Sequence, residues 1–150
     1  MRLVGGIYEV KESTHIEAPP DGVWRAFERI DRWVSWGDAW LEASAPTGDP
    51  WRVGGRLRLV IKPWWRPVAT EPSVAEIEPP GTVIWVSNSP GIQRQTTVHF
   101  DAEGGGTRAG ISIWQEGSMQ WALPFFSPSW ALRRVLREWL AGLKADVEGG

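Results

Sequence analysis

The chain has 150 residues, 42% hydrophobic and 23% charged, proportions expected of one globular domain over residues 1–150. A net charge of −2 offers nucleic acid no concentrated positive surface, and the lack of cysteine excludes a disulfide framework and a thiolate metal site. No run approaches the ~20 apolar residues of a membrane span and MRLVGGIYEV lacks a signal peptide's apolar stretch, so integral membrane association is not expected and a cytoplasmic location is.

Residues 7–16, IYEVKESTHI, read as a first strand, broken by Ala18-Pro19-Pro20-Asp21. Pro20 suits a first helical position, where its missing N–H costs nothing. Val23, Phe27 and Ile30 recur at helical spacing, so a short helix is expected over 21–30. Asp31 is the expected N-cap of a second short helix, DRWVSW, ending near Gly37. From residue 40 the period changes to two, giving strands over 40–45, 55–62, 67–78, 82–88, 92–102 and 107–116. AEGGG, between VHF and TRAGISIW, is the plainest hairpin turn, and connections this short predict an antiparallel meander. In the last segment Ser127-Pro128 reads as an N-cap followed by proline at the first helical position. Leu132, Val135, Leu136, Trp139, Leu140, Leu143 and Val147 then form one apolar stripe. The order predicts an α+β fold: a first strand, two short helices, further antiparallel strands, and a long C-terminal helix laid on the sheet.

Several stretches carry a resemblance when taken in order: HIEAPPDGVWRAFERIDRWVSW, VGGRLRL, VAEIEPPGTVIWV and HFDAEGGGTRAGISIWQEG. Over about residues 7 to 147 the chain resembles the START and pollen-allergen-like SRPBCC superfamily, in its polyketide cyclase/dehydrase-like branch. The resemblance implies a helix-grip fold, with a curved antiparallel sheet of six to seven strands wrapped around the C-terminal helix. It also implies a deep, largely apolar cavity between sheet and helix. Relatives bind lipids, sterols or aromatic polyketides there, and some catalyse cyclisation or dehydration.

The aromatic content is almost all indole, with 12 Trp against one Tyr and four Phe. In a meander alternate connections share one end, and sorting them this way collects Trp36, Trp40, Trp64, Trp65, Trp121, Phe125 and Phe126 at a single end. The expected role of these seven is an aromatic rim or lid over a ligand pocket. Packing onto neighbouring loops and a homodimer contact through the aromatic end stay open as alternatives.

Chemistry is sparse. His15 and His99 have no partners at metal-ligand spacing, Gly104–Gly106 is not followed by a helix, and no G-x-S-x-G elbow occurs, so neither metal nor cofactor is expected. Arg94, Glu116 and His99 are the weak catalytic candidates. Arg94 and Glu116, if both faced inward, could polarise a carbonyl for aldol cyclisation or dehydration. Tyr8, Asn88 and Gln115 are further polar residues near the expected cavity. If Val98 and Phe100 point inward then His99 points to solvent; if Ile111 and Ile113 point inward then so does Gln115, with Glu116 outside. The expected function is binding, with or without transport, of a small hydrophobic ligand, aromatic or lipid-like. The alternatives are a cofactor-independent polyketide cyclase/aromatase or dehydratase in the same cavity, and a protein-interaction module of the chaperone-regulator type.

Overall fold

A computed structural model describes residues 7–89, 92–116 and 128–149, without the side chains of Ile7, Tyr8, Ser89 and Ile92. Strand β1 (Ile7–Ile16) leads into helix α1 (Pro20–Phe27) and a 3-10 helix (Ile30–Ser35). The strands β2 (Trp40–Ser44), β3 (Arg58–Ile61), β4 (Val68–Thr70), β5 (Ser73–Glu78), β6 (Thr82–Ser89), β7 (Ile92–Glu103) and β8 (Gly106–Glu116) follow. Helix α2 (Ser129–Gly149) closes the described chain.

Five strands pair antiparallel in the order β1-β8-β7-β6-β5, and β2-β3-β4 form a second sheet. Where six to seven strands were expected, the described residues form eight, divided between two sheets joined by a bridge between Arg56 and Ser73. The division falls inside the predicted strand 67–78. Pro72 has no N–H to donate to a ladder, and the chain changes sheets there, the Pro72 carbonyl accepting from the Leu57 N–H at 2.9 Å. The hairpin between β7 and β8 turns through Gly104 and Gly105, whose φ values of 56° and 85° favour glycine.

The second short helix is a 3-10 turn with Arg29, not Asp31, before its first residue. The Ser127 cap lies outside the described residues; Pro128 precedes the first helical residue, Ser129, rather than occupying that position, and its carbonyl accepts from the N–H groups of Ala131 and Leu132 at 3.0 Å. Helix α2 has 21 residues and buries Leu132, Val135, Leu136, Trp139, Leu140 and Leu143 of the expected stripe, with Val147, its last member, only partly buried. It runs along β1, where Arg137 meets Glu12 at 3.4 Å and Lys144 donates to the His15 carbonyl at 2.6 Å. Close approach on its other flank depends on Gly142, since a Cβ there would stand 2.2 Å from the Cβ of Trp36.

Indole and phenyl rings fill the space between α2 and the sheet. Trp33 and Trp139 are fully buried, with ring centroids 5.3 Å apart, and Phe27 lies 5.4 Å from Trp33 and 5.9 Å from Trp139. Trp33 donates through Nε1 to the Phe27 carbonyl at 2.8 Å, and Trp51 to the Glu28 carbonyl at 2.8 Å. Both bonds tie the segment after α1 to the core.

Candidate functional site

Alternation along β7 buries Thr96, Val98 and Phe100, and along β8 it buries Ala109, Ile111, Ile113 and Gln115. Of these inward residues, Thr96, Ile111 and Ile113 line a cavity completed by Trp40, by Leu59 and Ile61 of β3, by Trp85 and Ser87 of β6, and by Val135 and Leu136 of α2. Its volume is about 40 Å³, room for roughly two or three water molecules. The deep cavity that the resemblance implies is here mostly occupied by side chains.

Arg94 follows the inward alternation of Thr96 and Val98 and lines this cavity, half-buried. Its guanidinium donates twice to Oε1 of Gln115, from Nε at 3.0 Å and Nη2 at 2.7 Å. Gln115 is 0% exposed, and its Nε2 has no hydrogen-bond partner among the described residues. The register could have revealed this pair. Counting nine residues back from Glu103 and nine forward from Gly106 sets Arg94 opposite Gln115.

The seven aromatic candidates separate. Trp40 is buried and lines the cavity, and its Nε1 is a second buried donor without a partner among the described residues. Trp36 is buried in the core, 6.4 Å from Trp33 and 5.5 Å from Trp139, with Nε1 donating to Asp146 at 3.2 Å. It is part of the packing against α2 and is absent from the cavity lining. Trp64 and Trp65 are 47% and 48% exposed on the turn between β3 and β4. Trp64 meets the ring of Trp130, itself 56% exposed, edge-on at 5.9 Å, and the Arg66 guanidinium lies 5.6 Å above the Trp65 ring. Arg134 donates to the Pro63 carbonyl at 3.0 Å and so fastens this turn to α2. Trp121, Phe125 and Phe126 lie outside the described residues.

The profile of one protein family, polyketide cyclase/dehydrase and lipid transport, matches residues 8–148. The chain belongs to this family. Solved structures share the helix-grip fold with this family member at low identity. A protein from Thermus thermophilus has a TM-score of 0.76 at 19% identity, over 95% of this chain and 98% of its own. Norcoclaurine synthase of Thalictrum flavum, solved with a transition-state analogue, has 0.74 at 12%, over 99% and 98%. The di-domain ARO/CYC protein BexL from the BE-7585A biosynthetic pathway has 0.72 at 16%, over 95% of this chain and 50% of its own. No curated protein matches the chain.

In this family member the proposed partnership of Arg94 with Glu116 does not form. Successive residues of a strand face opposite sides, so Gln115 shares the interior with Arg94 while Glu116 alternates outward with Trp114. His99 also faces outward; its ring lies against Gly110, where a Cβ would come within 2.4 Å of it, and Nε2 stands 4.0 Å from Asp101. Asn88 is exposed, and the Tyr8 side chain is outside the described ones. His15 belongs to a surface cluster at the β7–β8 hairpin, where Nδ1 lies 2.7 Å from Glu103. Hydrogen bonds from Arg108 and then His15 hold the Glu103 carboxyl below the ordinary carboxylate range. Among the described residues no group of three His, Cys, Asp or Glu could hold a metal ion, and no helix is long and apolar enough to cross a membrane. Chemically, the cavity can enclose an apolar group and bring the Arg94 side chain beside it.

Proposed function

We propose that this chain, acting as one domain in the cytoplasm, binds a small hydrophobic molecule, aromatic or lipid-like, between the sheet and α2. The observation that carries this reading is the apolar cavity walled by Trp40, Trp85, Ile111, Ile113 and Leu136, with Arg94 facing into it. Pockets for small molecules combine apolar walls with a few convergent polar groups in this way. At about 40 Å³ the cavity must widen to admit a whole ligand. Trp64 and Trp65 stand at the entrance in this reading, because their turn links Ile61 to Thr70, both lining residues, and packs on Trp130 before the lining segment of α2. Binding is preferred over cyclase or dehydratase activity for a chemical reason. Among the described residues the lining includes no His, Asp, Glu or Tyr to act as a general base, and an arginine does not deprotonate at working pH.

Native mass spectrometry of protein purified gently from its own cells tests the reading. A stoichiometric adduct of a few hundred daltons is the expected result. A bare mass, with no binding from a panel of lipids and aromatic polyketides, favours instead a docking surface for another protein, built on the exposed Trp64, Trp65 and Trp130.

A further inference from the structure

Two segments far apart in sequence meet in one surface beside the start of α2. The turn between β3 and β4 carries Trp64 and Trp65, and Trp130 stands in the first turn of α2. They are joined by the edge-on contact of Trp64 with Trp130 at 5.9 Å and by the bond from Arg134 to the Pro63 carbonyl at 3.0 Å. All three indoles leave about half of their surface in solvent. The charge around them has one sign. Residues 62–67 contribute Lys62 and Arg66, residues 129–137 contribute Arg133, Arg134 and Arg137, and neither stretch contains Asp or Glu. Arg134 is paired with Glu138 at 3.2 Å and Arg137 with Glu12 at 3.4 Å. Lys62 and Arg133 are exposed and form no ion pair among the described residues. The whole chain carries −2, so this concentration of cations is local and does not follow from composition.

We propose that the surface built on Trp64, Trp65 and Trp130 docks onto an anionic lipid membrane, peripherally and reversibly. The proposal concerns this surface alone and does not depend on the cavity holding a ligand. Indole suits the boundary between lipid and water because its body is apolar and its N–H polar. Lys62 and Arg133 add attraction to anionic head groups, and neither leaves an ion pair of the described residues to do so. Anchoring at a membrane surface takes two signals of this kind, one apolar and one basic. Two other occupants fit less well. A second copy would set its own Lys62 and Arg133 against these, and like charges across an interface are costly. A stable protein interface covers ~800 Å² on each partner. The three indoles expose only roughly 300–400 Å² between them, whereas at a membrane each ring can insert on its own.

The test is co-sedimentation of the full chain with sucrose-loaded vesicles, made of phosphatidylcholine alone or of phosphatidylcholine mixed with phosphatidylglycerol. At low salt the mixed vesicles are expected to bind at least about tenfold more tightly, and the difference should shrink as salt is raised. Lys62→Glu combined with Arg133→Glu should weaken binding to the mixed vesicles at least about tenfold. Arg29→Glu with Arg52→Glu makes the same change in net charge on exposed residues elsewhere, Arg52 lying before β3 and so at the end of that strand opposite the Trp64 turn. That pair should stay within about threefold of the unaltered chain. Trp64→Ala with Trp65→Ala should weaken binding about tenfold and keep the salt dependence. Should the tryptophan variant fail to fold, the Lys62 and Arg133 pair, which removes no ring, decides alone. No preference for the mixed vesicles overturns the proposal, and so does an equal loss from the two charge-reversed pairs, since net charge would then be the cause. Absence of binding to either vesicle overturns it and leaves the surface to an acidic protein. A dimer in sedimentation velocity that disappears in the tryptophan variant also overturns it and assigns the surface to a second copy.

Discussion

Two groups of tryptophans in this molecule have opposite surroundings. Trp24, Trp33, Trp85 and Trp139 are buried with Phe27 and Phe100 in a continuous network of ring contacts, with centroids between 5.2 and 6.4 Å apart. Trp64, Trp65 and Trp130 leave about half of their surface in solvent, with Arg66 over one ring. The first group answers to packing, since bulky rings fill the space between α2 and the sheet and reduce the cavity to about 40 Å³. The second group has no such duty, and a cluster of exposed indoles is informative because solvent gives no reason to keep it there. The comparison therefore separates residues that stabilise the fold from residues available for recognition, although both are the same amino acid.

The largest expected effect is at the centre of the buried group. Trp139→Ala should destabilise the protein by about 3–5 kcal/mol, measured from the shift in urea midpoint. A loss under about 1 kcal/mol would place Trp139 outside the core and break the comparison at once. Next comes Gly142→Ala, whose new methyl group would meet the Cβ and Cα of Trp36 at 2.2 and 2.5 Å. In an exposed helix this change would stabilise by up to about 1 kcal/mol. Overpacking is expected to reverse the sign and cost about 1–3 kcal/mol. A stabilised variant in the same denaturation experiment would show that Trp36 is not packed against α2.

How far such assignments can be read from a sequence differs between the two groups. The stripe from Leu132 to Leu143 and the Gly104-Gly105 turn were legible, because each depends on local periodicity or a backbone requirement, whereas the alternation of β7 and β8 was legible only as a choice between two parities that the burial of Val98, Phe100, Ile111 and Ile113 decides. The single strand expected over 67–78 ran across Pro72, where the chain in fact changes sheets, and the separate β2-β3-β4 sheet was not legible because strand partners are set by long-range pairing. Trp36 was assigned to the rim by its place in a connection. Its burial depends on Gly142 of a helix more than a hundred residues away, which no local pattern records. The Arg94–Gln115 pair lay between these cases, since the hairpin fixed its register but the pleat had to be tracked over nine residues without a bulge.

The exposed group should show the reverse balance of effects. Trp64→Ala combined with Trp65→Ala is expected to leave the urea midpoint nearly unchanged, within about 0.5 kcal/mol per site. The same double variant should weaken binding of a small aromatic or lipid-like ligand by more than about tenfold, a loss of ~1.4 kcal/mol or more. Parallel losses of stability and affinity would merge the two groups and remove the entrance role.

The smallest effect is expected at the β7–β8 hairpin, on the charged cluster around Glu103. Arg108 meets Glu103 through Nε and Nη2 at 3.1 Å, and His15 contacts it at 2.7 Å while also facing Glu17 at 3.2 Å. Hydrogen bonds from Arg108 first, and His15 second, lower the Glu103 pKa in the folded chain. The unfolded chain therefore takes up a proton at a higher pH than the folded chain does. The stabilisation is fully present above the ordinary glutamate pKa and is lost as pH falls from there through the lowered folded value. Glu148, lowered chiefly by its bond from Lys144, acts in the same direction. Glu103→Gln should make the fall of stability with acid shallower in that window and leave its slope at neutral pH unchanged. Raised salt should shrink the difference, because the cluster is exposed to solvent. An unaltered acid limb in urea titrations at a series of pH values would mean that the cluster does not persist in solution.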